Sequence, residues 1–116
     1  MATTHPPVNS FKPGATWEIQ GSLHYANGTP FNLGPGCNIQ WALQNSLGQI
    51  VLSLSLGDGI TVQDADAGIC YIIVLPGLSA TIPPGSYVDQ LRATDPSGYI
   101  SDQWQGAINI YGSFFD

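Results

Sequence analysis

Three carboxylates, Asp58, Asp64 and Asp66, precede Gly68 in the stretch "GDGITVQDADAGICYIIVLP". Acidic residues alternating along a short loop and followed by glycine could wrap a calcium ion in oxygen ligands. A loop of that kind starting at Asp64 needs ligands beyond Gly68 and a bidentate carboxylate near its twelfth position. Leu75 occupies that position, and Ile69 and Tyr71 stand where ligands belong. The stretch therefore reads as strand, Asp/Gly turn, strand, with the carboxylates in solvent. A looser site made of Asp58, Asp64 and Asp66 has nothing further in the sequence to support it.

Other chemistry finds less footing. His5 and His24 belong to no HExxH or comparable ligand cluster. No GxSxG elbow is present to expose a nucleophilic serine. Cys37 and Cys70 fall in strand-like segments without a basic neighbour, which argues against a reactive thiolate. With no secretory signal at the start, they are expected to be buried free thiols rather than a bridge across a sandwich. "GDG" and "GPG" lack the strand-to-helix setting of a phosphate loop, and no pair of carboxylates is singled out for glycoside hydrolysis. The expectation is a chain with no catalytic residues, no metal site and no cofactor.

Charge narrows the partners. Of 116 residues only Lys12 and Arg92 are basic, against eight acidic ones, for a net charge of −6. Charged residues make up 9% of the chain, where about 25% is ordinary. Nucleic acid needs clustered cations and is not an expected partner; the same deficit argues against an anionic membrane. No apolar run approaches the roughly 20 residues of a membrane span. The start "MATTHPPVNSFKPG" lacks the basic and apolar segments of a signal peptide, so synthesis in a cytoplasm is expected. A surface of Ser, Thr, Gln, Asn and exposed apolar groups suits contact with other protein subunits.

The elements that would position all this are strands. In "TWEIQGSLHY", Trp17, Ile19, Leu23 and Tyr25 share a parity that Gly21 interrupts. "ANGTP" is a turn. "CNIQWALQ" and "QIVLSLSL" alternate cleanly, placing Cys37, Ile39, Trp41 and Leu43, then Leu52, Leu54 and Leu56, on inner faces. "ICYIIVL" is apolar on both parities, as in a central strand or one whose outer face meets a partner. In "PGLSATIPPG", Leu78 and Ile82 are expected to plug one end of the core. "SYVDQLRAT" points Tyr87 and Leu91 inward, and the long "YISDQWQGAINIYG" is expected to bend at Gly106. No segment keeps a 3.6-residue period, and 14 Gly and 9 Pro punctuate the strands. The expected fold is all-β, an antiparallel immunoglobulin-like β-sandwich of about seven or eight strands over residues 14–116. A closed barrel is the alternative, and residues 1–13 are expected to form an extended N-terminal arm.

Trp17 and Trp41 share parity with aliphatic residues and belong in the core. Trp104 sits between glutamines, in a pattern that allows exposure. With Pro6, Pro7, Val8 and Phe11 of the arm and Phe114 and Phe115 of the tail, Trp104 makes up the expected interface set.

Four segments in a fixed order carry a family likeness: "GATWEIQGSL", "GTPFNLGPGCNIQWAL", "GDGITVQDADAGICYIIV" and "IPPGSYVDQLRATDPSGYISDQWQGAINI". Together, over about residues 14–112, they resemble the small immunoglobulin-like domains of bacteriophage tails and baseplates, the N-terminal domain of siphophage baseplate upper proteins in particular. Ala15 departs from the pattern, standing where that family has aspartate. The resemblance implies a non-enzymatic virion component, made in a bacterial host cytoplasm and located in the virion. Its partners would be other virion subunits, including further copies of itself within the particle. A capsid decoration protein is the alternative. So is a carbohydrate-binding module, which would require Trp104, Tyr99 and Tyr111 exposed on one face.

Overall fold

Over the described residues the alternation becomes eight strands and one helical turn. A computed structural model describes residues 10–111. Strands β1 (Ser10–Phe11), β2 (Trp17–Ser22), β3 (Asn38–Gln44), β4 (Ile50–Leu56), β5 (Gly59–Asp64), β6 (Ile69–Val74), β7 (Gly85–Thr94) and β8 (Ile100–Ile110) form one sheet. Their order is β1-β8-β7-β3-β4-β5-β6-β2, and α1 (Pro76–Ser79) lies between β6 and β7.

The sheet curls on itself. β4 and β5 share only two registered pairs, Ser55 with Gly59 and Leu56 with Ile60. Across that narrow join β5-β6-β2 folds over β4-β3-β7-β8. Contacts between opposite ends of the sheet demonstrate the curl. A Cβ added to Gly21 of β2 would lie 3.0 Å from Trp104 Cη2 of β8; here glycine is needed for close approach. The result is an all-β, sandwich-like fold. Two pairings depart from the expected antiparallel pattern, since β1–β8 and β4–β5 run parallel. Both ladders are only two residues long, so few ladder bonds depend on their direction.

Alternation builds the core. Trp17 and Ile19, then Ile39, Trp41 and Leu43, then Cys70, Ile72 and Val74 all point inward and are buried. β6 lies between β5 and β2, and its outer residues Ile69, Tyr71 and Ile73 are half-buried. Tyr87 is buried at the start of β7 and donates its hydroxyl to the Pro83 carbonyl at 2.6 Å, the corner bond typical of immunoglobulin-type domains. Ile82 plugs the core as expected, but Leu78 is exposed. The turn of α1 directs Ser79 inward instead, where its hydroxyl donates to the Ala15 carbonyl at 2.6 Å.

β8 holds a second correction. Gly106 pairs regularly with Asp89, and the register slips instead where Leu91 faces Trp104 and Arg92 faces Asp102. Gln103 is the extra residue of a β-bulge, which points two consecutive side chains, Gln103 and Trp104, into the core. Gln103 then brackets the backbone just past β2. The His24 N–H donates to its Oε1, and its Nε2 donates to the His24 carbonyl, both at 3.0 Å.

Candidate functional site

Because successive residues alternate faces, the inward set of β3 leaves Gln40, Ala42 and Gln44 on the outside. Gln40 is opposite Ser55 and Arg92, and Ala42 is opposite Ser53 and Gln90. Gln44 is opposite Ile50 and Val88. Beyond β7 the rows continue into β8, with Gln90 beside Gln105, Val88 beside Ala107 and Arg92 beside Asp102. This ordered grid floors a concavity of about 440 Å³ on the outer face of β4-β3-β7-β8.

The face is close to neutral. Arg92 Nε donates to Asp102 Oδ1 at 2.7 Å and Nη2 donates to Oδ2 at 3.3 Å. These bonds hold the Asp102 carboxyl below its ordinary range and raise the guanidinium further. Gln90 adds a hydrogen bond to Asp102. The one arginine of the chain is thus matched by an acid, and the rest of the concavity offers amides, hydroxyls and apolar groups, apart from Asp58 at its edge. A glutamine amide carries donors and an acceptor side by side, so this lining can exchange hydrogen bonds without attracting net charge.

A second feature is an apolar pole. The molecule is 44 Å long. Strand registers place the β3–β4 hairpin, the β6–β7 connection and the end of β8 together at one end of it. Leu47, Ile50, Leu75, Leu78, Val88 and Tyr111 are all exposed there. Among the described residues the other two exposed large apolar side chains, Tyr99 and Ile100, are at the opposite pole.

That opposite pole is organised by Asp95, which is 8% exposed. Its Oδ1 accepts from the Ser97 hydroxyl at 2.6 Å and from the Ser97 and Tyr99 N–H groups at 3.0 Å. Its Oδ2 accepts from the Tyr25 hydroxyl at 2.7 Å. The Ser97 hydroxyl first, and the Tyr25 hydroxyl second, hold this carboxyl at about 2. Tyr25 also stacks on Phe31 at 4.6 Å and meets Tyr99 edge-on at 5.7 Å. Burial, aided by the bond to Asp95, raises the Tyr25 phenol. The Asp95 carboxylate is thus committed to its own loop and to Tyr25.

The acidic stretch is a turn, in which Asp64 Oδ1 accepts the Ala67 N–H at 3.1 Å. Among the described residues no group of three or more His, Cys, Asp or Glu is placed to hold a metal ion. Cys37 and Cys70 are both free. Of the expected interface residues, Pro6, Pro7, Val8, Phe114 and Phe115 lie outside the described residues. Phe11 is half-buried in β1, stacked on Trp17 at 5.1 Å, with the Trp17 indole donating to the Lys12 carbonyl at 2.8 Å. It is thus part of the fold rather than of a free arm. Trp104 is corrected as well, because the bulge turns it into the core at 6% exposure. With Trp104 inside and Tyr99 and Tyr111 at opposite poles, the three-aromatic sugar platform does not form. The amide grid was not foreseen, since isolated glutamines in strands read as ordinary solvent-facing residues; only the repeat of Gln40 and Gln44 on one parity of β3 hinted at it.

No family model and no curated protein matches the sequence. Solved structures do share its shape. CopC from Methylosinus trichosporium OB3b superposes with a TM-score of 0.54 at 14% identity, over 91% of this chain and 87% of that one. The SrpA adhesin of Streptococcus sanguinis superposes with a TM-score of 0.51 at 13% identity, over 96% of this chain. The chain spans only 57% of that adhesin. At such identities the likeness is one of fold alone.

Proposed function

We propose that this chain is a non-enzymatic structural component of a bacteriophage virion, a tail or baseplate protein or fibre adaptor that works through protein–protein contacts. The four-segment resemblance supports the virion assignment. The observation that carries the contact mode is the apolar pole, where six large side chains stand exposed on three neighbouring connections and strand ends. Clustered apolar groups on a soluble surface mark sites where another protein binds, and the scarcity of charge around them lowers the desolvation cost of docking.

Gold-labelled antibody microscopy on phage-like particles from the source culture tests the assignment. Label at a tail tip or baseplate is the expected result. Label across the head would convert the protein to a capsid decoration subunit, and bare particles with the epitope accessible would overturn the virion reading. The contact mode has its own test: Leu75→Asp with Leu78→Asp should abolish incorporation while leaving the melting temperature unchanged.

A further inference from the structure

We propose that the concavity on the outer face of β4-β3-β7-β8 binds a neutral glycan, an uncharged oligosaccharide recognised through its hydroxyl groups. The proposal goes beyond the virion reading and does not depend on it. The concavity meets the apolar pole at its Gln44–Ile50–Val88 row, and its other amides, Gln40, Gln90 and Gln105, lie in rows away from that pole.

Charge and hydrogen-bonding chemistry select the ligand class. An anionic partner would need free cations, and Arg92 is already matched by Asp102 at 2.7 Å. A cationic partner would need clustered carboxylates, and Asp102 is engaged by both Arg92 and Gln90. A peptide strand cannot be added here, because strand addition uses an open sheet edge, whereas β3 is paired on both sides along this face. An amphipathic helix would need a continuous apolar groove, and rows of glutamine and serine interrupt this one.

A sugar hydroxyl both donates and accepts, and each glutamine amide does the same from adjacent atoms. Gln40, Gln44, Gln90 and Gln105 supply four such groups across three adjacent strands, with Ser53 and Ser55 beside them. Strands lie about 4.8 Å apart, so these amides form a repeating array suited to successive hydroxyls along a glycan. Ala42 and Val88 give the carbon faces of the sugar ring an apolar floor. At about 440 Å³ the concavity falls within the roughly 300–1,000 Å³ of small-ligand sites.

A printed array of neutral glucans, mannans and galactans, with sialylated and sulphated glycans as charged controls, supplies the probe. The strongest neutral binder is then titrated against the full chain while the side-chain amide NMR signals are followed. The signals of Gln40, Gln44, Gln90 and Gln105 should shift together. Gln40→Ala and Gln105→Ala should each weaken binding by about tenfold, the loss of one to two net hydrogen bonds, with unchanged melting temperature. The Leu75→Asp, Leu78→Asp variant should bind sugar normally, which separates this site from the assembly contacts. No binding to any neutral glycan, binding to charged glycans alone, or full binding by the two glutamine variants would overturn the proposal.

Discussion

Trp41 and Trp104 aim their indole N–H groups at the same atom, Oδ2 of Asp89, at 2.7 and 2.9 Å. The two tryptophans come from β3 and β8, the strands on either side of β7, which carries Asp89. A fully buried carboxyl in the middle of a core is costly unless it is bonded, and here one oxygen satisfies two buried donors. The bulge at Gln103 makes this possible by turning Trp104 inward at the level of Leu91.

Asp89→Ala leaves both indoles without that acceptor. At about 1–3 kcal/mol for each of the two stranded donors, the loss should reach about 2–6 kcal/mol in urea unfolding. Asp89→Asn keeps an acceptor oxygen and should cost clearly less. An alanine variant within about 1 kcal/mol of the parent would show that the shared oxygen contributes little.

The strands were legible because half-buried sheets impose a period of two, and Trp17, Ile19, Ile39, Trp41 and Leu43 follow it without exception. What broke that period was harder to read. One extra residue at Gln103 shifts the parity of the start of β8, so Ile100 becomes exposed while Trp104, Ile108 and Ile110 stay buried together. The shared parity of those last three was the available sign that Trp104 belongs inside. Asp89 lies on the inward parity of Tyr87 and Leu91, but aspartate is rarely buried without partners, and its partners are 48 and 15 residues away along the chain. The amide face was barely legible for a different reason: its glutamines come together only once β3, β7 and β8 are in register.

Gly68 offers a sharp test of the turn after β5. Its φ of +71° is left-handed, and a Cβ there would come within 2.5 Å of the Leu23 carbonyl oxygen. The Leu23 N–H also donates to the Gly68 carbonyl at 2.8 Å, so the clash cannot be relieved without breaking that contact. Gly68→Ala should cost well over the roughly 1 kcal/mol of a left-handed alanine alone, read as a large drop in melting temperature. A drop of only a few degrees would mean that the segment carrying Leu23 can shift aside.

The two thiols should differ in reactivity. Burial pushes the Cys70 thiol up to about 12 and raises that of Cys37 as well. Since the thiolate is the nucleophile, iodoacetamide at pH 8 should leave Cys70 untouched in the folded protein and modify the half-buried Cys37 slowly. Unfolding without reductant should then release both for alkylation, as read by intact mass. No added mass even after unfolding would reveal a bridge between the two.

Asp95 makes stability depend on acid in a defined window. Its folded value of about 2 is below the ordinary 3.8, so the unfolded chain takes up the proton first as pH falls. Stability from this carboxylate is therefore fully present above about pH 4 and is lost as pH drops towards 2. In Asp95→Asn the side chain accepts through one oxygen only and does not titrate. The variant should melt well below the parent at neutral pH, and the gap should narrow as the pH is taken from 5 to 2. Melting curves at matched ionic strength over that range decide the matter. A gap that stays constant would mean that the Ser97 and Tyr25 hydroxyls support the loop equally well around a protonated acid.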